Sequence, residues 1–316
     1  MLALGVKGGD EVIMPSFTFV STANAVVLRG AQPVFAEILP ATLNLDPQDV
    51  EKRVTPQTKA VIVVHYAGMA CDMEAFTDLA RRHRLALLED AAQGIDATYA
   101  GRYLGTIGDV GCLSFHDTKN IVCGEGGAFL TSDPVLARKA EFIREKGTNR
   151  ANFIRGEVDK YTWVSQGSSY VPSDILSAVL EAQIAKRAEI KKRRRAVWDA
   201  YYQALEGLEA QGGVVRPVVP MRAGPNYHIF FFRVRSPALR DVVLSALQRA
   251  GIGATFHFVP LHSSPFGRQV GVASTPLPVT DECSSTLIRL PVYPDLASQA
   301  EEIAGRVADV IGELTR

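Results

Sequence analysis

Three stretches of this 316-residue chain carry residue types that could do chemistry. The first is Leu87-Leu88-Glu89-Asp90-Ala91-Ala92-Gln93, where two acids end an apolar run. If that run is a strand of a parallel sheet, its carboxyl end lies where such sheets bind ligands, and Asp90 could pair with a protonated ring nitrogen. The same aspartate could instead cap a following helix. The second stretch, Ser114-Phe115-His116-Asp117-Thr118-Lys119-Asn120, follows another short apolar run. Lys119 could form a Schiff base with an aldehyde, and Ser114 could donate to a phosphate. An ordinary surface lysine is the alternative. The third, Cys123-Gly124-Glu125-Gly126-Gly127, comes directly after. Its glycines suit unusual backbone angles or a close approach to a ligand. It lacks the spacing of a GxGxxG fingerprint and opens no helix, which excludes the dinucleotide and P-loop readings.

Positioning such groups needs a scaffold, and the first half of the chain supplies a pattern for one. Short apolar runs alternate with amphipathic segments. Strands are expected at Glu11–Met14, Pro33–Ala36, Ala60–His65 and Leu85–Leu88, with helices at Ala23–Leu28, Asp46–Val54 and Met73–His83. The β-branched run Ala60–His65 suits a strand buried on both faces. This rhythm predicts an α/β fold with a mostly parallel sheet covered by helices. Further on, short strands at Gly111–Phe115 and Gly127–Thr131 flank the glycine-rich loop, and Pro134–Lys146 reads as a helix. Ser173–Leu205 reads as one long helical stretch that is wet on one side. Strands at Tyr227–Val234 and Ala254–Val259, a helix at Pro237–Ala250 capped by Ser236, and a terminal helix at Ala297–Leu314 follow. The pattern predicts a large domain over residues 1–195 and a smaller α+β domain over residues 196–316.

Bulk properties narrow the function classes. Basic and acidic residues balance at 34 each, so no global field favours nucleic acid or an anionic membrane. The one basic cluster, Lys191 to Arg195, reads as a solvated helix face. Four scattered cysteines without metal-ligand spacing are expected to be reduced thiols in a cytoplasmic protein, and no metal site is expected. No apolar stretch reaches the roughly 20 residues of a membrane span, and no signal peptide is visible.

Each of these stretches is weak alone; their order and spacing together are specific. The chain resembles the DegT/DnrJ/EryC1/StrS family of sugar aminotransferases, which have fold type I of the pyridoxal-phosphate (PLP) enzymes. The resemblance runs through GDEVIMPSFTFVSTANAV (Gly9 to Val26), VTPQTKA (Val54 to Ala60), VHYAG (Val64 to Gly68), EDAAQ (Glu89 to Gln93), SFHDTKN (Ser114 to Asn120) and GEGG (Gly124 to Gly127). It continues through SSYVPSD (Ser168 to Asp174) and LPVYPDL (Leu290 to Leu296). The stretch Arg144 to Trp163 resembles in particular the branch that aminates thymidine-diphosphate 4-keto-6-deoxy sugars with glutamate as donor.

The resemblance implies roles. Lys119 is the Schiff-base lysine and proton carrier, and Asp90 keeps the pyridine nitrogen protonated. Gln93 lies near the phenolic oxygen of the cofactor, and Ser114 contacts its phosphate. Phe19 stacks on the ring, with a core aromatic as the other reading. Ser169, where many relatives carry Asn, reaches the phosphate of a neighbouring subunit, which implies a homodimer with shared active sites. His116, Arg150, Lys160 and His257 are candidates for the sugar or its diphosphate; for His116 a structural role weighs equally, and for His228 and His257 it is the safer reading. The family also has a segment ahead of the position of Gly9, with a Gly/Ser/Thr turn at a helix N-terminus that cradles the phosphate. Here Met1-Leu2-Ala3-Leu4-Gly5 resembles the tail of that helix. The large domain is therefore expected to be truncated at its N-terminus and to hold PLP more weakly. A truncated, weakly catalytic or non-catalytic protein of the same fold is the alternative. A histidine-for-lysine PLP dehydratase is disfavoured by Lys119.

Overall fold

In the computed structural model, which describes residues 1–271 and 276–315, the β-branched run of Thr58–Val64 becomes an inner strand of a six-stranded sheet. It pairs in parallel with Glu11–Pro15 on one side and Ala86–Asp90 on the other. Gln32–Ala36 lies beyond Glu11–Pro15, and Val110–Ser114 beyond Ala86–Asp90; both are parallel to their neighbours. Gly127–Leu130 closes the far edge as the one antiparallel member. The alternation of side chains explains why this run is apolar throughout. Val61 and Val63 enter one core with Ile13, Leu87 and Phe76, while Ala60, Ile62 and Val64 enter another with Val12, Met14 and Leu88.

Helix Met73–His83 shows how the covering helices are specified. Asp72 Oδ1 accepts from the Ala75 N–H at 3.2 Å, and Arg84 ends the helix in a left-handed turn (φ 55°). Met73, Phe76, Leu79 and Ala80 form its buried stripe. The cap expected at Ser236 is also present, with Ser236 Oγ accepting from the Leu239 N–H at 3.2 Å.

Three expectations need correction. Ser173–Leu205 is not one helix but two, Asp174–Ala185 and Arg187–Ala204. The N–H of Lys186 bonds to Gln183 three residues back, a tighter turn that breaks the helical repeat. Ala254–Val259 is not a strand. Only Thr255 bridges to Arg289, after which the chain turns away and carries His257 and Phe258 onto Tyr66. The strand expected from Tyr227 begins at Phe230, because Tyr227 has a left-handed backbone (φ 59°) that no ladder accommodates.

The second half of the chain builds an antiparallel sheet of Leu287–Leu290, Phe230–Val234 and Val214–Val215. Its core joins Phe230 and Phe232 to Trp198 and Tyr201 of helix Arg187–Ala204 and to Val307 and Ile311 of helix Ala300–Thr315. A small sheet of Ala223–Gly224, Thr98–Tyr99 and Arg102–Tyr103 ties the two halves together. Among the described residues, no helix is long and apolar enough to cross a membrane.

Candidate active site

The register of the large sheet sets Val64, Asp90 and Cys112 level with one another. The residues just past these positions therefore share the carboxyl edge of the sheet. Asp90 is the last residue of its strand, and turns rather than a helix follow it, so it caps no helix. Its Oδ2 accepts from the Thr22 hydroxyl at 2.7 Å and its Oδ1 from the Ala92 N–H at 3.1 Å. Among the described residues it makes no ion pair within 4.0 Å.

The preceding residue has the opposite fate. Glu89 is fully buried and accepts from His65 Nε2 at 2.9 Å and from the N–H groups of Gly105, Ile107 and Gly108 at 2.8, 2.6 and 2.6 Å. Burial pushes its carboxyl up, but His65 and the N–H groups of Gly108 and Gly105 outweigh that and hold it below the usual range. The pleat thus sends Glu89 into a structural knot and leaves Asp90 to face the edge.

Lys119 lies in a turn after Val110–Ser114, its N–H bonding to the His116 carbonyl at 3.0 Å. Burial lowers the pKa of its amine; Arg289 adds to that and Asp90 opposes it. The amine lines a cleft of about 590 Å³ shared with Asn120, Arg194, His228, Thr255 and Arg289. Ser114 ends the strand that leads to this turn, its Oγ accepting weakly from the His116 N–H at 3.4 Å. Gln93 Oε1 accepts from the Ala67 N–H at 2.7 Å, and among the described residues its amide NH₂ has no hydrogen-bond partner.

Phe19 is 59% exposed at the start of helix Val20–Val27, and its ring centre lies 6.5 Å from that of Phe258. Phe258 stacks on His257 at 3.8 Å. His257 Nε2 lies 2.6 Å from Arg289 Nη1, and its Nδ1 lies 3.2 Å from the Tyr66 hydroxyl. Burial, with Arg289 and Lys119 nearby, pushes His257 down to about 2.

Several residues of this region were not singled out as site residues in the sequence. Asn226 donates to the carbonyls of Gln93 and Ile95, both at 2.7 Å, and accepts from Asn120 through its own carbonyl at 3.0 Å. His228 Nδ1 donates to Asn120 Oδ1 at 2.8 Å, and burial pushes the pKa of the ring well down. Arg194 corrects the reading of the basic cluster as a wholly solvated face. It is 6% exposed and donates to the carbonyls of Tyr227 and His228 at 3.2 and 2.7 Å. The available signals were an arginine inside the apolar strand Leu287–Leu290 and a polar trio, Asn226 to His228, ahead of an aromatic one.

Other candidates lie apart from the cleft lining. His116 turns outward, with Nδ1 2.8 Å from Asp117 and Nε2 3.6 Å from Glu125. Arg150 is exposed and 4.0 Å from Glu145, and Lys160 is exposed. Ser169 is exposed, bridged to Glu145 through the backbone.

The residues at the carboxyl edge suit a PLP molecule. Asp90 has lone pairs left for a ring N–H, Lys119 offers a desolvated amine, and Ser114 and Gln93 have donors that no other described residue uses.

Solved structures share the fold of this chain. TlmJ, an aminotransferase from Streptoalloteichus hindustanus, is 31% identical over 100% of this chain and 83% of its own (TM-score 0.89). DesV of S. venezuelae, solved in complex with a ketimine intermediate, is 34% identical over 100% of this chain and 81% of its own (TM-score 0.89). A 3-amino-5-hydroxybenzoic acid synthase is 28% identical over 99% and 82% (TM-score 0.88). The sequence profile of the DegT/DnrJ/EryC1/StrS aminotransferase family matches residues 1–310, and the chain belongs to that family as a PLP-dependent aminotransferase.

Proposed function

We propose that the chain transfers the amino group of L-glutamate to dTDP-4-dehydro-6-deoxy-D-glucose, giving dTDP-4-amino-4,6-dideoxy-D-galactose and 2-oxoglutarate, as a dTDP-4-amino-4,6-dideoxygalactose transaminase. The observation that carries the reading is the desolvated Lys119 amine within the field of Asp90 at the carboxyl edge of the sheet. The sugar acceptor rests on the resemblance of Arg144 to Trp163 to that branch of the family. TlmJ, an aminotransferase, and DesV, both above 30% identity, support the aminotransferase part of the reading.

PLP supplies an aldehyde carbon for amines and an electron-withdrawing ring. Asp90, fixed by Thr22 and the Ala92 N–H, stays aimed at the ring nitrogen and keeps its proton in place. Lys119 would hold the aldehyde carbon of the cofactor, and its amine would be the group that moves the proton of the donor's α-carbon. Burial lowers its proton affinity, the direction that favours a base. The Gln93 amide would donate to the phenolic oxygen, Phe19 would cover the ring, and Ser114, with Ser169 of a second copy, would hold the phosphate. His257, held by Arg289 beside the cleft, would border the sugar; His116, Arg150 and Lys160 lie apart from the cleft lining, and contacts of theirs with the sugar or its diphosphate rest on the family resemblance alone. Residues 1–195 act as the cofactor-binding domain and residues 196–316 as the smaller one.

A homodimer is part of this reading. Trp163, Tyr170, Val171 and Ile175 are exposed apolar side chains close in sequence, with Trp163 and Ile175 at 78% and 77%, and such a group suits a covered surface. The four free cysteines suit a cytoplasmic location. The test is a panel of nucleotide-linked keto sugars, cyclic ketones and keto acids offered with glutamate. Amination of the dTDP-4-keto-6-deoxy sugar is expected, and transfer only to a keto acid would refute the sugar acceptor.

A further inference from the structure

Two buried hydroxyls stand in line behind the acid at the carboxyl edge. Thr22, in the first turn of helix Val20–Val27, donates to Asp90 Oδ2 at 2.7 Å, and Thr18 Oγ1 lies 3.0 Å from Thr22 Oγ1. Both threonines are more than nine-tenths buried. The direction of each bond follows from counting hydrogens. A hydroxyl has one hydrogen, and a carboxylate only accepts. The Thr22 hydrogen is spent on Asp90, so the second bond runs from Thr18 to Thr22. Both O–H dipoles therefore point towards the carboxylate, and away from water each bond strengthens the next. The backbone does not require this row. The Thr18 N–H bonds to the Ser16 carbonyl and the Thr22 N–H to the Phe19 carbonyl, so the segment turns without either side chain. Among the described residues the Thr18 hydroxyl has no partner other than Thr22.

We propose that Thr18 is a positioning residue for the transamination: through Thr22 it holds the Asp90 carboxylate in the orientation that receives the ring nitrogen of the cofactor. This rests on the reading of Asp90 as the partner of that nitrogen. The Thr22 hydroxyl is a rotor, and a threonine within a helix can turn its hydrogen back to a carbonyl of the preceding turn. The hydrogen given by Thr18 occupies a lone pair of Thr22 and leaves the Thr22 hydrogen directed at Asp90. With Oδ1 fixed by the Ala92 N–H, the carboxylate is then held at both oxygens and cannot swing about its Cβ–Cγ bond. Thr18 acts on the ring only through Thr22 and Asp90.

The test is a double-mutant cycle with two readouts: kcat of the PLP-loaded protein, and PLP affinity from its visible absorbance on titration into the cofactor-free protein. Thr18→Val keeps the shape and removes the O–H. Alone, it is expected to lower kcat about threefold and to weaken PLP by a similar factor, the scale of one neutral hydrogen bond. In a Thr22→Val background the row is already cut, and the same substitution is expected to change neither. Equal losses in both backgrounds would mean that Thr18 supports the fold rather than Asp90, and would overturn the proposal, as would no loss in either. Thr18→Ser keeps the hydroxyl and is expected to lose less than Thr18→Val; an equal loss would place the effect in the methyl group and refute the row. Thr18→Ala runs the same cycle if the valine variant folds poorly. Near-normal kcat in Asp90→Asn would instead overturn the reading of Asp90 itself.

Discussion

Arg289 Nη1 donates to His257 Nε2 at 2.6 Å, and because a guanidinium only donates, that nitrogen of the histidine carries no proton. The proton is left on Nδ1, facing the Tyr66 hydroxyl. The consequence for pH follows from the sign of the shift. His257 is pushed down to about 2 in the folded chain, against about 6.5 when unfolded. Above the unfolded value neither state binds the proton, and stability is unaffected. Below it the unfolded chain takes up a proton that the folded one refuses, so stability falls by about 1.4 kcal/mol per pH unit for each such histidine. His228, also pushed well down by burial, acts in the same direction. Urea unfolding of the wild type is therefore expected to weaken steadily from pH 6.5 to 5, and the slope for His257→Gln is expected to be shallower by one histidine. An unchanged slope would mean that folded His257 is protonated in that range.

Lys119→Ala is expected to abolish turnover, because the same amine is read as both binding the aldehyde and moving the proton. Borohydride treatment of the PLP-loaded wild type, followed by peptide mapping, should put the label on Lys119. A label on Lys186, which lines the same cleft, would shift the role to that residue.

Asp90→Asn should lower kcat by at least ~10²-fold, the scale of a lost preorganised electrostatic partner. Thr22→Val probes the same group from outside. It removes the 2.7 Å bond to Oδ2 but keeps the charge, so a smaller loss, about tenfold, is expected. A larger loss in Thr22→Val than in Asp90→Asn would place the main contribution in the hydroxyl.

Glu89→Gln addresses the knot beneath the edge. Three backbone N–H groups and His65 converge on that carboxylate, and an amide NH₂ would face donors. A cost of roughly 3–5 kcal/mol is expected, as for other broken buried charge networks. Urea unfolding measures it, and a cost under about 1 kcal/mol would show that the turn at Gly105 to Gly108 holds without the network.

The large sheet was legible because its signal is local. A β-branched run with both faces buried leaves a period that can be read residue by residue, and Asp90 and Lys119 each stand just after such a run. The second half was legible only in part. Ala254–Val259 has the composition of a strand, yet its path is set by contacts of His257 and Phe258 with Tyr66, about 190 positions away in the chain (|i−j| of 191 for the Tyr66–His257 pair). Arg194 sits among five consecutive basic residues, and which of them turns inward depends on where the carbonyls of Tyr227 and His228 arrive. Val214–Val215 is too short to leave any period. Contacts that span the chain have no signature in the spacing of neighbours.

The bonds of Asn226 reach in two directions. They join the backbone just ahead of strand Phe230–Val234 to the turn carrying Gln93 and, through Asn120 and His228, to the turn carrying Lys119. One amide thus works as a keystone between two arches that meet above the sheet. A gene cut between residues 195 and 226 would yield two fragments, each with half of an arch. Neither should fold on its own, and co-expression should restore the site only when the pieces meet at Asn226. Exchanging either half for a foreign counterpart is therefore expected to fail unless that counterpart brings its own side of the joint.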